Sequence, residues 1–476
     1  MQLYETLRKS GKKYGERTAF IEASGNLSYA GFWAKVEQRK QDLLEIGIQK
    51  NDGVGILFDN SSDFMLHLLA VLGTGAVAMP VSIHFKQDEL KESIRATGLN
   101  WLIADVNQTN WRASDFEKKP LDERVAYAHF PEHTKLKSKL QQFPDPAFIR
   151  YTSGTTGLSK GVLITHTAVL QRIQAANEGL KLDASDRVLW VLPMTYHFMV
   201  SMILYLEQGL CLIIAPDFTA DTLVGRANAY KATMLYASPF HIRLLSTAKG
   251  KSFSTLKRVI STSAGISPEL CRQFEENYNL PVSQAYGIIE IGLPLINLEH
   301  ASECPESVGK PLPDYEVVIL DKEANIAGKG EKGQLAIKGP GMFAAYLEPF
   351  MLQNQVLFNG YFLTGDTASI DEKGLVRIEG RTKSMINVSG NKVFPEEVEG
   401  VLEQHPAVQM AKAEKADHPL LGEIVVAKII LKEGKYSDIE AIQAFCKERL
   451  SSFKIPRNIE IVKDLEMTKT GKIKRH

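Results

Sequence analysis

The sequence predicts an α/β protein with more than one domain. Its 476 residues exceed the size of one ordinary hydrophobic core. In the first hundred residues, apolar strand-like runs alternate with segments of helical spacing, a pattern typical of parallel strands covered by helices. From Gly380 onward, the pattern indicates a separate small α+β unit. We therefore predict a large N-terminal domain of mixed sheets flanked by helices, with a small antiparallel sheet as a subdomain, and a small C-terminal α+β domain.

The elements are predicted in chain order from apolar spacing and from end signals. Ser28 is a suitable cap for a helix that begins near Tyr29. Residues 106–147 are polar and show no strong pattern, so we expect them to form an irregular connection. Strands are predicted at 19–21, 54–58, 76–81, 102–104, 186–192, 210–215, 233–237, 259–263, 317–320, 333–337, 375–378, 409–415 and 424–431, and helices at 61–72, 393–402 and 439–450.

Composition excludes several classes of function. Lys+Arg and Asp+Glu both number 56, so the zero net charge gives no support for a nucleic-acid partner or an anionic membrane. The four cysteines are far apart and form no Cys-x-x-Cys pair, which argues against a disulfide framework or a zinc site. A reducing cytoplasm fits this usage, and the first residues lack the pattern of a signal peptide.

One segment has nearly the length of a membrane span. Residues 64–85 contain no Asp, Glu, Lys or Arg. Gly73, Gly75 and Pro80 interrupt the segment, so we expect a buried helix, a turn and a buried strand. No integral membrane association is expected.

The stretch from Tyr151 to Gly161 is the main chemical signal. It contains five serines and threonines, three glycines and one lysine, Lys160. Glycines let backbone N–H groups approach an anion, hydroxyls add donors, and a lysine adds a point charge suited to phosphate. The stretch therefore predicts a polyphosphate-binding loop between short strands, with a Gly/Ser/Thr surface linker as the alternative.

This loop resembles the signature of the adenylate-forming superfamily, which contains acyl-CoA synthetases, adenylation domains of peptide synthetases and luciferases. Further segments match the family in the same order, so the resemblance covers nearly the whole chain. They are residues 284–290, 333–335, 360–366, 380–383, 395–399 and 470–473.

The resemblance implies an ATP site. Tyr286 would lie against the adenine, Glu290 would bind Mg2+, and Asp366 and Arg381 would hold the ribose. The alternatives are a core aromatic for Tyr286, a buried salt-bridge partner for Glu290, and a structural ion pair for Asp366 and Arg381. The other residues implied in ATP binding are Thr152, Ser153, Gly154, Thr155, Thr156, Gly157 and Lys160 at the phosphates, and Ala264 and Gly265 beside the adenine.

The resemblance also assigns roles near the C-terminus. Lys472 would stabilise the developing charge during adenylation, although composition alone predicts a solvated basic tail there. Lys383 matches the family's hinge, between an N-terminal domain of residues 1–380 and a mobile C-terminal domain of residues 381–476; it is otherwise a surface lysine. Ser389 and Gly390 would line a tunnel for a pantetheine arm.

The chain departs from the family pattern at several positions. Ile289 stands where a threonine is usual, and its hydroxyl contact to the α-phosphate is lost. Gln334, Lys338 and Glu466 replace the usual glutamate, arginine and proline. The consequence of Ile289 is not determined by the sequence.

The segment expected to bind the carboxylic acid favours a substrate without an α-amino group. Amino-acid-activating relatives carry an aspartate after a phenylalanine, but residues 192–200 contain no aspartate. A buried ammonium without a counter-charge is costly. Tyr196 and His197 are expected to border the carboxylate, with a packed core histidine as the alternative for His197. The expected pocket wall is Tyr236, Ala237, Ser238, Gly287 and Ile288, which suits aliphatic and aromatic acids.

The resemblance thus implies an AMP-forming acid–thiol ligase. It would convert a carboxylic acid and ATP to acyl-AMP, and then transfer the acyl group to coenzyme A. The alternatives are transfer to the phosphopantetheine of an acyl carrier protein, a degenerate nucleotide-binding relative, and a luciferase-like oxidase. The sequence does not determine which acid is used or the oligomeric state.

Overall fold

A computed structural model describes residues 2–85, 87–152, 160–248, 250–381, 384, 386–388, 391–418, 422–450, 452, 454–467 and 473. The strands of its N-terminal part are β1 (Thr18–Glu22), β2 (Gly25–Ser28), β3 (Gly53–Leu57), β4 (Val77–Pro80), β5 (Trp101–Asp105), β6 (Lys119–Pro120), β7 (Val125–His129), β8 (Pro146–Thr152), β9 (Lys160–Thr165), β10 (Arg187–Trp190), β11 (Cys211–Ile214), β12 (Met234–Ala237), β13 (Arg258–Ser261), β14 (Val282–Ile288), β15 (Gly292–Ile296), β16 (Lys310–Pro311), β17 (Glu316–Leu320), β18 (Gly333–Lys338), β19 (Ala345–Leu347), β20 (Phe350–Leu352), β21 (Phe362–Ile370) and β22 (Val376–Arg381). The C-terminal strands are β23 (Ile386–Val388), β24 (Asn391–Val393), β25 (Val408–His418), β26 (Gly422–Leu431) and β27 (Asn458–Ile461).

Helices connect these strands. They are α1 (Gln2–Lys13), α2 (Tyr29–Glu45), α3 (Ser62–Thr74), α4 (Gln87–Thr97), α5 (Thr109–Ala113), α6 (Thr134–Leu140), α7 (His166–Leu180), α8 (Ile203–Gln208), α9 (Ala220–Ala229), α10 (Pro239–Thr247), α11 (Pro268–Tyr278), α12 (Gln353–Val356), α13 (Pro395–Gln404) and α14 (Ile439–Lys447). A π-helix (Phe198–Met202) precedes α8 directly.

The N-terminal part contains two large mixed sheets. One has the order β16-β15-β14-β13-β12-β10-β11-β1-β2 and the other the order β20-β19-β9-β8-β4-β3-β5-β7-β6. Parallel pairing dominates the centre of each sheet, and antiparallel strands lie at the edges. The predicted α/β class is therefore confirmed.

Two smaller sheets follow in the chain. The strands β17-β18-β21-β22 form the predicted small antiparallel sheet. In the C-terminal part, β24-β23-β26-β25 pair in that order and β27 adds to β26. Buried side chains between Ile386 and Ile459 form a core of their own there, so this part has the packing of a small α+β unit.

Local end signals explain several element boundaries. The Ser28 hydroxyl accepts a 3.1 Å hydrogen bond from the N–H of Gly31 and caps α2, as predicted. Ser61 caps α3, which ends at Gly75 with φ 83°. The buried helix and strand predicted between residues 61 and 81 are thus confirmed. Within the described part of the chain, no helix combines the length and the apolar character needed to cross a bilayer.

Two sequence-based interpretations were wrong. Residues 106–147 are not an irregular connection, because they contain α5, α6, β6 and β7. The β7 strand pairs antiparallel with the buried β5, whose residues lie 20 or more positions away in the chain. A strand that is stabilised by such a distant partner needs no periodic apolar pattern in its own polar segment, so the sequence did not reveal it. The sequence Thr364-Gly365-Asp366, which follows aromatic residues, also favours a tight turn, but it lies inside β21.

Among the described residues, the N-terminal and C-terminal parts of the chain make contact at Arg243 of α10 and at Gly380. The Arg243 guanidinium donates to the main-chain carbonyl of Gln409 at 2.8 Å and pairs with the Glu403 carboxylate at 3.0 Å. Gly380, at the end of the N-terminal part, has φ 151° and packs against Phe394 and Glu396. The boundary between residues 380 and 381 stays a prediction.

Candidate active site

Three neighbouring parallel strands bring distant predicted residues to one edge of the first large sheet. β12, β13 and β14 pair side by side, with Tyr236 opposite Ile260 and Ser261 opposite Gln284. Their carboxyl ends carry the predicted residues Tyr236, Ala237 and Ser238, then Ala264 and Gly265, then Tyr286, Gly287 and Ile288. The carboxyl edge of a parallel sheet is where α/β proteins bind ligands.

Tyr286 and Asp366 meet although they lie 80 positions apart. The Tyr286 hydroxyl donates a 2.5 Å hydrogen bond to the Asp366 carboxylate. Asp366 is buried, and its N–H donates to the Thr364 hydroxyl at 3.1 Å. Gly365 between them has φ 76°, which a glycine adopts without strain. In the strand pairing, Asp366 lies opposite Arg381, so the backbone positions of the two predicted ribose residues are adjacent.

Glu290 lies in the turn between β14 and β15 and is held on both sides. Its carboxylate accepts a 2.8 Å hydrogen bond from the hydroxyl of Tyr346. Its main-chain carbonyl accepts from Arg172 at 3.0 Å and from the N–H of Phe343 at 2.8 Å. Burial, and then the negative charge of Glu290, raise the pKa of Tyr346 well above its usual range, so the phenol stays protonated as a donor.

The turn at Glu290 is also fixed by glycine. A Cβ at Gly287 would lie 2.6 Å from the carbonyl oxygen of Gly292, and Gly292 has φ 106°. The two strands therefore approach each other more closely than a side chain allows. A carboxylate at a rigid turn suits a hard divalent cation, and this donor fits the predicted Mg2+.

The segment before the π-helix positions His197. The Nε2 atom of His197 lies 3.0 Å from the hydroxyl of Ser263, a non-glycine residue with φ 77° two positions after β13. The Asn60 side chain braces the same segment, because it donates to the carbonyl of Leu192 at 2.8 Å and accepts from the N–H of Met194 at 2.7 Å. π-helices are rare in proteins, and those that occur often lie at functional sites.

The predicted wall of the acid pocket is mostly buried. The Tyr236 ring stacks on Trp190 with a centroid separation of 5.7 Å and an interplanar angle of 8°. Burial raises the pKa of Tyr236 to about 12, so its hydroxyl stays neutral. The Ser238 hydroxyl lies 2.8 Å from Nδ1 of His241. Ala237 is buried, Ile288 is partly buried, and Gly287 is exposed.

The predicted phosphate-binding loop is described only at its ends. Thr152 and Lys160 occupy paired positions of β8 and β9, which confirms that strands flank the stretch. Side chains of Thr152, Lys160 and Arg381 lie outside the description, and so do all atoms of the remaining predicted residues, which are Ser153, Gly154, Thr155, Thr156, Gly157, Lys383, Ser389, Gly390 and Lys472.

Sequence reasoning missed the residues that hold the site together. Tyr346, Arg172, Asn60 and Ser263 belong to no motif, and only the fold brings them to Glu290 or to the segment before the π-helix. Arg150, whose guanidinium donates to the main-chain carbonyls of Thr195 and Tyr196, could have been identified from the sequence. It is a charged residue in the apolar strand β8, next to the loop.

Comparisons with known proteins agree with the resemblance. The model of the family described as AMP-binding enzyme matches residues 7–347, more than half of the chain. The model described as AMP-binding enzyme C-terminal domain matches residues 397–472.

Two CoA ligases are among the proteins with similar sequences. A probable CoA ligase of Humulus lupulus, CCL9, is 28% identical over 495 residues, which cover 98% of this chain and 94% of the relative. The oxalate–CoA ligase of Arabidopsis thaliana is 28% identical over 498 residues, with 98% and 96% covered. These names and the family match support the prediction of an ATP-dependent, AMP-forming acyl-CoA synthetase.

Solved structures confirm the fold. ATP-bound MatB from Rhodopseudomonas palustris superposes with a TM-score of 0.85 at 24% identity, covering 99% of this chain and 97% of that one. The AMP complex of o-succinylbenzoate coenzyme A synthetase from Bacillus subtilis has a TM-score of 0.85 at 22% identity, with 98% and 96% covered.

Proposed function

Because the chain belongs to the AMP-binding enzyme family of adenylate-forming enzymes, we propose that it is an AMP-forming ligase that joins a carboxylic acid to coenzyme A. In the first step the carboxylate attacks the α-phosphorus of ATP, which gives acyl-AMP and releases pyrophosphate. In the second step the thiol of coenzyme A attacks the acyl carbonyl, which gives the thioester and releases AMP.

The observation that carries the proposal is the 2.5 Å contact between Tyr286 and Asp366. It brings two separate motifs together at the carboxyl edge of the first large sheet. A carboxylate there accepts hydrogen bonds from the hydroxyls of a ribose, and the tyrosine ring offers a face for the adenine.

We assign the charge chemistry to Glu290 and Lys472. Glu290 would hold Mg2+, and that ion would neutralise phosphate charge. Lys472 contacts the substrate carboxylate and the charge that develops at the phosphorus, an electrostatic stabilisation of the transition state. We propose Lys383 as the hinge between residues 1–380 and 381–476, and Ser389 and Gly390 as part of the pantetheine tunnel.

The acid carries no α-amino group. The acid-side residues Tyr196, His197, Tyr236, Ala237, Ser238, Gly287 and Ile288 include no carboxylate to pair with an ammonium. Their mixture of apolar and aromatic groups suits aliphatic and aromatic acids. Coenzyme A is the proposed acceptor because both named relatives are CoA ligases.

The test is ATP–pyrophosphate exchange across a panel of aliphatic, aromatic and amino acids. We expect exchange with at least one acid without an α-amino group and none with amino acids. Each active acid is then incubated with coenzyme A or with a phosphopantetheine-loaded carrier protein, which identifies the acceptor. Absence of exchange with every acid, despite ATP binding, would instead identify a degenerate nucleotide-binding relative.

A further inference from the structure

Arg172 is a fully buried cation in the helix that follows the predicted phosphate-binding loop. It lies in α7, which begins at His166 directly after β9, and the residue is 0% exposed. Its Nε atom donates to the main-chain carbonyl of Gly341 at 2.6 Å, and its Nη2 atom donates to that of Glu290 at 3.0 Å. One planar guanidinium therefore joins α7 to the turn that carries Glu290 and to the segment before β19.

Two glycines leave room for the side chain of Arg172. A Cβ at Gly341 would lie 2.6 Å from Cγ of Arg172, and a Cβ at Gly292 would lie 3.0 Å from its Cδ. Both glycines have positive φ, 68° at Gly341 and 106° at Gly292, which other residues rarely adopt. The backbone on both sides thus approaches the arginine more closely than a residue with a side chain would allow, which leaves the guanidinium little freedom to move.

Further hydrogen bonds tie the same backbone segments together. Gln171, the neighbour of Arg172 in α7, accepts a 3.0 Å hydrogen bond from the N–H of Gly341 through its side-chain oxygen. The N–H of Phe343 donates to the carbonyl of Glu290 at 2.8 Å. Consecutive residues of α7 therefore hold Gly341 by both its N–H and its carbonyl, and the carbonyl of Glu290 has two donors.

The charge of Arg172 strengthens these contacts. Burial lowers the pKa of Arg172 to about 10, while interactions with Tyr315 and Glu290 act in the opposite direction, so the side chain stays charged at neutral pH. A hydrogen bond from a charged donor is roughly twice as strong as one between neutral groups. The Glu290 turn is therefore anchored to α7 by a strong contact.

We propose that Arg172 is a positioning residue for the Mg2+ site, because it fixes the main chain of Glu290 against α7 and the segment of Gly341. It acts through Glu290 and needs no contact of its own with the ion or with a substrate. The inference rests on the proposed role of Glu290 as the Mg2+ ligand. A ligand that is fixed before the ion arrives loses less freedom on binding, and Mg2+ demands near-ideal ligand geometry.

The test is titration calorimetry of ATP in the absence of any acid, so that no reaction occurs. Each variant is titrated once in excess EDTA and once in saturating Mg2+, and the ratio of the two dissociation constants gives the gain in ATP affinity from the ion. In Arg172→Lys we expect a gain about fivefold smaller than in the wild type, because a compact ammonium cannot reproduce the fork of a guanidinium across two carbonyls. The affinity in EDTA should change little. A merely structural role would lower the melting temperature without changing the ratio.

Arg258→Lys is the matched control. Arg258 is the first residue of β13, away from the carboxyl edge, and its guanidinium also donates to a main-chain carbonyl, that of Leu180, at 2.7 Å. This variant should keep the wild-type gain. Gln171→Ala is the second variant if Arg172→Lys does not fold, because it removes only an exposed side chain that accepts from Gly341. We expect a smaller loss of the gain in the same direction.

Glu290→Gln separates the role of Arg172 from that of the metal ligand. This variant should lose most of the gain; an unchanged gain would reject Glu290 as the ligand and, with it, the role of Arg172. A loss in Glu290→Gln beside the wild-type gain in Arg172→Lys, or in Gln171→Ala where Arg172→Lys does not fold, would overturn the role of Arg172 alone. An equal loss in Arg258→Lys would also overturn it. Failure of pyrophosphate exchange with every acid would reject the ligase proposal and leave the calorimetric result standing.

Discussion

The hydroxyl of Tyr346 donates a 2.8 Å hydrogen bond to the carboxylate of Glu290, 56 positions away in the chain. Tyr346 lies in β19 opposite Val162 of β9, the strand that leaves the phosphate-binding loop. The proposed metal ligand is therefore linked through one side chain to the strand beside the proposed phosphate site.

We predict that Tyr346→Phe weakens the use of Mg2+. The substitution removes a hydrogen bond to a charged group, worth about 1.5 kcal/mol, and keeps the buried ring. The Mg2+ concentration for half-maximal pyrophosphate exchange should rise roughly tenfold, with a smaller change in the rate at saturating Mg2+. Tyr278→Phe is the control, because among the described residues that hydroxyl donates only to the carbonyl of Leu245, at 2.9 Å. An unchanged Mg2+ dependence in Tyr346→Phe would mean that the contact does not position Glu290.

Asp366→Ala should weaken ATP binding without unfolding the chain. The substitution removes the acceptor for Tyr286 and, in the proposed site, the acceptor for the ribose hydroxyls. Titration calorimetry should show ATP affinity lower by about tenfold or more. Tyr286→Phe, which removes one donor and keeps the ring, should have a smaller effect. Calorimetry that gives the wild-type affinity for Asp366→Ala would remove this residue from the site.

Lys472→Ala should separate the two half-reactions. Acyl-AMP formation should fall by roughly two or more orders of magnitude, as loss of a transition-state contact predicts. Thioester formation from supplied acyl-AMP should survive far better, because no phosphorus centre reacts in that step. Pyrophosphate release and thioester production are measured on one preparation. Equal losses in both would contradict the assigned role.

Lys383→Pro should also separate the two half-reactions, but here the thioester-forming step should be the one that is lost. Proline fixes φ at about −65° and removes an N–H, so it should hold the two domains in one orientation. Acyl-AMP formation should persist while most thioester formation is lost, and the melting temperature should change little. Lys373→Ala, an exposed lysine in a turn between β21 and β22, is a control for loss of surface charge. Wild-type thioester production by Lys383→Pro would locate the hinge elsewhere.

Part of this site was predictable because the residues concerned are neighbours in short contiguous segments of the sequence. The segment from Tyr151 to Gly161 contains glycines, hydroxyls and a lysine close together in the sequence. The strands on either side of it are predicted by local apolar runs. The cap at Ser28 was predictable for the same reason, because its bond is local. Interactions between neighbours in sequence need no knowledge of the fold.

The sequence alone therefore determined the α/β class, the family and the positions of its motifs. Only the tertiary structure decided which side chains hold those motifs in place. Tyr346 reaches Glu290, Ser263 reaches His197 and Asn60 braces the chain at Leu192, each across tens of positions. The burial of Arg150 is likewise visible only after folding. Hydrogen bonding and desolvation depend on distances and on excluded water, and both are set by how distant strands pair.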